Sequence, residues 1–146
     1  MKHPQQILPA VAAIIFNEAG ELLLQKRGDV GQWCILSGHV EFGETVEEAL
    51  RREIFEETQA RAEIVRFIGV YSSPISQTYY YDDRHVQYVT TYFEARFTEP
   101  VDLHFVNGET RELRFFHPEH LPADLAQLPT QWLADARHQP GTVFLR

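Results

Sequence analysis

Hydrophobic and polar positions alternate most cleanly between Val86 and Phe97. Val89, Thr91, Phe93, Ala95 and Phe97 share one face of an extended chain, and Tyr88, Thr90, Tyr92, Glu94 and Arg96 share the other. That period of two predicts a strand. An apolar run over residues 7–16 (ILPAVAAIIF) predicts a buried strand. Asn17–Gly20 is a turn sequence and Glu21–Lys26 (ELLLQK) a second strand, so the pair is expected to form a hairpin. A glycine-rich loop, Arg27–Gly31, precedes a short strand at Trp33–Leu36, and Ser37–Gly43 reads as a loop entering a helix near Thr45. Glu63–Tyr71 is rich in β-formers, and residues 72–85 read as a long loop or hairpin. Pro100–Thr110 is a loop, Arg111–Phe116 a last strand and Pro118–Leu121 a turn of helix. Thr130–His138 reads as a terminal helix with Thr130 as its N-cap. Strands on both sides of a central helix predict a mixed α/β layered fold, with residues 1–146 as one domain.

The helix after Thr45 carries acids where a solvated helix would not. With Val46 at 0° and 100° per residue, Val46, Ala49, Leu50 and Ile54 fall within an arc of about 140°. Glu53 and Glu57 fall about 20° to either side of Val46, inside that stripe, with Glu56 at its margin. Thr45-Val46-Glu47-Glu48 reads as a capping box. Glu47–Arg51 and Glu48–Arg52 have the favourable i,i+4 order, worth ~0.2–0.5 kcal/mol each when exposed. Glu53, Glu56 and Glu57 have no such explanation. They converge on one side in the last turn, where mutual repulsion and the helix dipole both oppose negative charge. Two readings stand: an acidic helix end in solvent, or a site for a hard cation such as Mg²⁺ or Mn²⁺.

Composition narrows the function. A net charge of −8 disfavours a nucleic acid polymer or an anionic membrane as partner, and means that a polyanionic substrate needs local positive charge. The one cysteine, Cys34, permits no internal disulfide and reads as a core residue. The seven histidines show no metal-ligand spacing. The apolar run near the N-terminus is broken by Pro9, and no run approaches the ~20 residues that span a bilayer. A soluble, cytoplasmic protein is expected.

Gly38, Glu44 and Arg52-Glu53-Ile54-Phe55-Glu56-Glu57 are spaced by five and then seven residues. This resembles the Nudix box, G-x5-E-x7-R-E-U-x-E-E-x-G-U, at seven fixed positions. The flanking ELLLQKR, Trp33 and ELRFFHPEHLP segments are also similar to that family, so the resemblance extends over nearly the whole chain. It departs at Gln59 and Ala60, where the box closes on glycine and an aliphatic residue, and at Leu36-Ser37-Gly38, where Pro-Gly-Gly is usual. A non-glycine left-handed cap costs roughly 1–2 kcal/mol.

The resemblance implies an α/β/α sandwich with a mixed β-sheet and Mg²⁺-dependent hydrolysis of the diphosphate linkage in a nucleoside diphosphate derivative. Glu53, Glu56 and Glu57 would be catalytic and hold Mg²⁺ (or Mn²⁺), with a main-chain carbonyl from Gly38. Glu44 and Arg52 would brace the loop. Among the acids outside the box, Glu94, Glu109 and Glu112, Glu112 is favoured as the additional metal ligand. Arg27 and His39 would contact phosphate, and Tyr79, with Tyr80 and Tyr81, would stack on a base. The substrate is a nucleoside triphosphate or an ADP-ribose-like sugar nucleotide, and homodimers are common in such enzymes. The competing class is a catalytically silent, nucleotide-binding regulatory module of the same fold.

Overall fold

The structure is a computed structural model, and it describes residues 3–28 and 31–146. Asp29 and Val30 of the glycine-rich loop lie outside the described residues. A six-stranded sheet is built from β1 (Gln5–Ile15), β4 (Leu36–His39), β5 (Ala62–Tyr71), β6 (Thr78–Tyr80), β7 (His85–Phe97) and β9 (Phe144–Leu145), in the order β4-β1-β7-β5-β9 with β6 also on β7. β1 runs parallel to β7 and β5 parallel to β9, so the sheet is mixed. A three-stranded antiparallel sheet contains β2 (Leu22–Arg27), β3 (Trp33–Cys34) and β8 (Thr110–Phe116). The helices are α1 (Val46–Thr58), α2 (Pro74–Gln77) and α3 (Trp132–Ala136).

β1 is nearly all apolar because both of its faces are covered. Val11, Ala13 and Ile15 enter a core with Ala49, Leu50 and Ile54 of α1. Ala12 and Ile14 enter a second core with Trp33, Tyr71, Tyr92 and Trp132 on the opposite side. The strand therefore holds helices on both sides, an α/β/α arrangement. The same holds for β7: Tyr92 joins one core, Phe93 and Ala95 the other.

Local chemistry sets the ends of α1. The Thr45 hydroxyl accepts from the Glu48 N–H at 3.1 Å, and the Glu48 carboxylate accepts from the Thr45 N–H at 3.0 Å. At the other end Gln59 adopts φ 59°, ψ 18°, and its N–H donates to the Phe55 carbonyl at 2.7 Å. Glutamine thus takes the left-handed cap that glycine fills elsewhere. Val46 is the exception on the apolar stripe, being 38% exposed, while Glu57 is only 3% exposed.

Several sequence expectations are corrected. β1 and β2 meet in a single bridge, Phe16–Leu22, because each strand finds its main partners in a different sheet. Trp33–Leu36 is not one strand: the chain crosses between sheets at Ile35, and Leu36–His39 then pairs with Ala10–Ala13. The segment 72–85 holds α2, β6 and a turn into β7. Pro118–Leu121 is a turn without helix. The last helix is shorter than expected. The Trp132 N–H bonds to the Pro129 carbonyl in a preceding turn, so Gln131 and not Thr130 occupies the N-cap. Glu48 and Arg52 do not pair, since each is engaged elsewhere. Cys34 lies in the core as expected. Among the described residues no helix is long and apolar enough to cross a membrane.

Candidate functional site

The box loop and α1 are joined through one guanidinium. Arg52 donates from Nε and Nη2 to the two carboxylate oxygens of Glu44, at 2.7 and 2.9 Å. Its Nη2 also reaches the His39 carbonyl at 3.0 Å, and its Nη1 reaches Glu53 at 2.9 Å and Glu56 at 3.3 Å. The bidentate bond to Arg52 holds the Glu44 carboxyl down at about 2, with help from the Glu41 N–H. With Glu41 at 3.7 Å, a single positive charge therefore faces four carboxylates, and the cluster stays net negative.

Gly38 is required by Glu53. A β-carbon built on Gly38 would fall inside the Glu53 carboxyl group, so any larger residue there would have to displace that carboxylate. Glu57 lies deeper. Its Oε2 is buried with no hydrogen-bond partner among the described residues. Burial pushes the Glu57 carboxyl well above the usual carboxylate range, and its hydrogen bond to Glu53 and the charge of Glu53 push the same way. Burial also raises Glu53, opposed by its hydrogen bonds to Glu57 and Arg52. Without a cation the pair is best satisfied by sharing a proton.

A third segment completes the acid cluster. Oxygens of Glu53, Glu56 and Glu109 lie within 4.8 Å of one another. Glu109 sits on the turn before β8, and that turn is tied to the last turn of α1. Asn107 donates to the Glu56 carbonyl at 3.0 Å, and its Oδ1 accepts from the N–H groups of Glu109 and Thr110 at 2.9 and 2.7 Å. The Thr110 hydroxyl donates to the Glu57 carbonyl at 2.9 Å and accepts from buried Gln25 at 2.7 Å. Carbonyls that the helix leaves open are thus satisfied by the loop that brings Glu109. Glu112, favoured from sequence, is outside this set: on β8 it pairs with Arg114 of the same strand. Glu94 is also elsewhere, 2.9 Å from Arg66.

The acids open onto a cavity of about 560 Å³ whose lining includes Glu53, Glu57, Glu109, Arg27, His39 and Tyr79. His39 Nε2 lies 3.1 Å from the Tyr88 hydroxyl, and that hydroxyl lies 3.0 Å from the one on Tyr81. Burial lowers the His39 pKa, as do the charges of Arg84 and Arg27. Tyr79 and Tyr81 line the cavity, whereas Tyr80 between them points out of the strand and is 75% exposed. Asn107, Thr110, Gln25 and Gln77 were not singled out from sequence. The Asn107-Gly108 pair is a turn signal that marks where Glu109 would be held.

The cluster is a set of hard oxygen donors, one of them buried without a partner, and it fits a small divalent cation. The arrangement can hold a cation against an anionic group lying in the cavity and can accept a proton from water.

Comparison with known proteins agrees with this geometry. The family model described as NUDIX domain matches residues 7–136. A putative 8-oxo-dGTP diphosphatase of Bacillus subtilis is 44% identical over 73 residues, 50% of this chain and 46% of that protein. An ADP-ribose pyrophosphatase of Methanocaldococcus jannaschii is 42% identical over 77 residues, 50% of this chain and 46% of that one. The chain thus aligns with about half the length of these curated relatives. The crystal structure of an ADP-ribose pyrophosphatase from Streptococcus suis superposes with a TM-score of 0.73 over 95% of this chain and 97% of that one. At 20% identity that likeness is one of fold.

Proposed function

Because the chain belongs to the Nudix family, we propose that it is a hydrolase that cleaves the diphosphate linkage of a nucleoside diphosphate derivative with the help of Mg²⁺. The observation that carries this reading is the convergence of Glu53, Glu56 and Glu109 beside buried Glu57, at one end of a cavity large enough for a nucleotide. Relatives named for 8-oxo-dGTP and for ADP-ribose point to nucleoside triphosphates and ADP-ribose-like sugar nucleotides as the substrate classes to try first.

In this reading Glu53, Glu56 and Glu109 would hold the ion, with Glu57 and the Gly38 carbonyl beside them. Bound there, Mg²⁺ supplies positive charge against the diphosphate and makes a water more acidic. The remaining work falls to the chain. Water adds to one phosphorus, the P–O bond to the bridging oxygen breaks, and the water proton passes to a carboxylate. Glu57 is assigned that proton in its ionised form beside the bound cation, since its buried Oε2 has no hydrogen-bond partner among the described residues, and a positioned base contributes ~10²–10⁴-fold. Arg52 holds the box loop and the acids in fixed relation, and Arg27 faces the phosphates from the end of β2.

The test is release of phosphate or pyrophosphate from (d)NTPs, (d)NDPs, ADP-ribose and dinucleoside polyphosphates, with Mg²⁺ and with EDTA. Mg²⁺-dependent release from one class supports the reading. Tight nucleotide binding with no turnover of any substrate would replace the hydrolase by a binding module.

A further inference from the structure

The cavity has an end that the acids do not use. Its floor is made by β1. Leu8, Ala10, Ala12 and Ile14 share one face of that strand in the size order large, small, small, large. Ala10 lies between His39 and Thr90, and Ala12 between Ser37 and Tyr92, in neighbouring strands. Two alanines in a row leave a gap between larger side chains, and the cavity occupies it.

The strand partners that flank this gap, Ser37, His39, Thr90 and Tyr92, include no acidic side chain. Tyr79 stands on one side, fixed by its hydroxyl on the Gln127 carbonyl at 2.9 Å and by edge contact with Tyr88. Gln77 is 96% buried, its relative exposure being 4%, and it lines the cavity. Its Oε1 accepts from the Thr90 hydroxyl at 2.8 Å, which fixes the amide and leaves the Nε2 hydrogens without a partner among the described residues. Gln77 lines the cavity, and the bond of its Oε1 to Thr90 turns Nε2 away from that hydroxyl. A nearly buried amide donor with no acceptor is costly unless a ligand satisfies it.

We propose that this end binds the base of the nucleotide, and that Gln77 reads it by donating a hydrogen bond to a ring carbonyl. The ligand class is a 6-oxopurine or 4-oxopyrimidine, which carries an acceptor where adenine and cytosine carry an amino donor. A flat neutral ring suits aromatic walls and a small-residue floor. A site built to bond one polar group discriminates strongly against an analogue that presents the wrong one.

The inference rests on the hydrolase reading only for which end takes the phosphates. Nucleoside monophosphates have no anhydride to cleave, so their binding separates the two. Isothermal titration with GMP, UMP, AMP and CMP in the presence of Mg²⁺ is expected to show GMP and UMP binding at least about tenfold tighter than AMP and CMP. Gln77→Ala should bring the four within about twofold, and Gln77→Glu, which offers an acceptor, should reverse the order. Equal affinities in the wild-type chain, a preference for AMP and CMP, or no binding of any of the four at millimolar concentration overturns the inference. Turnover of the nucleotide panel without a base order would sink this inference and keep the hydrolase. An ordered series without turnover would do the reverse.

Discussion

The side-chain amide of Asn107 is hydrogen-bonded to the main-chain carbonyl of Glu56 at 3.0 Å. Fifty-one positions apart in sequence, the two residues fasten the turn that carries Glu109 to the helix that carries the other acids. Outer partners that orient ligands typically contribute 10- to 100-fold to metal affinity. Asn107→Ala is therefore expected to weaken Mn²⁺ binding by about tenfold or more, read by calorimetry or by the Mn²⁺ resonance signal. An unchanged affinity would detach Glu109 from the ion.

Gly38 gives a sharper test of the same cluster. Gly38→Ala places a methyl where the Glu53 carboxyl lies. Either β4 or the carboxylate must move by the order of an ångström, which costs ~10²-fold when reacting groups are misplaced. The expected result is a loss of about that size in kcat/KM with the circular dichroism spectrum retained. Near-normal activity would remove Glu53 from the chemistry.

Glu57 links the site to stability. Its folded-state pKa is raised well above 4.5, so it contributes stability that is complete below 4.5 and is lost as pH rises through the folded value. His39, lowered from 6.5, acts with the opposite sign. Comparison with Glu57→Gln isolates the carboxyl. In EDTA the variant should gain on the wild-type chain by a few degrees in melting temperature as pH goes from 5.5 to 8. Mg²⁺ should stabilise only the wild type strongly at pH 8, and the variant should lose metal-dependent turnover. Parallel melting profiles for the two proteins would mean that Glu57 is not held protonated.

Glu44 responds at the acid end. Its carboxyl is held at about 2, so its contribution is complete above 4.5 and disappears between 4.5 and 2. Glu44→Gln should flatten that part of the acid unfolding curve. An identical curve would show that the Arg52 bond adds nothing to the folded state.

Gln59 occupies left-handed backbone at φ 59°. Relief of a strain of roughly 1–2 kcal/mol is partly offset by the ~0.5–1 kcal/mol entropy penalty of glycine. Gln59→Gly should therefore raise unfolding free energy by up to about 1 kcal/mol in urea titration, with turnover unchanged. A loss of stability would give the Gln59 side chain a role beyond its amide contact with the Phe55 carbonyl at 3.4 Å.

Features fixed by near neighbours were readable in the chain. Thr45 and Glu48 mark the start of α1 because a capping box needs only residues three apart. The inward placement of Glu53 and Glu57 follows from helical rotation alone. The choice of Glu109 over Glu112 was not readable, because it depends on Asn107 finding Glu56 across the fold. The expected hairpin around Asn17–Gly20 is cut down to one antiparallel bridge for a related reason: turn and strand signals are local, but sheet membership is decided by β7 and β8. The paired alanines at 10 and 12 were visible, but their meaning required the residues on either side.

The parallel pairing of β1 with β7 also bears on how the chain folds. Its register runs from Gln5–His85 to Ile15–Ala95, so every pair is 80 positions apart. The loop must close before this central pairing can form, and such non-local order slows folding. Until β7 arrives, β1 has only β4 beside it, and the apolar face of α1 lacks Phe93 and Ala95 to pack against. The joining of β1 and β7 is therefore the step expected to limit folding. Ala13 and Phe93, opposite one another in that ladder, are the positions where truncation should slow folding more than it speeds unfolding. β4 reaches the acidic site through its pairing with β1, whereas β8 arrives from the other sheet through its pairing with β2.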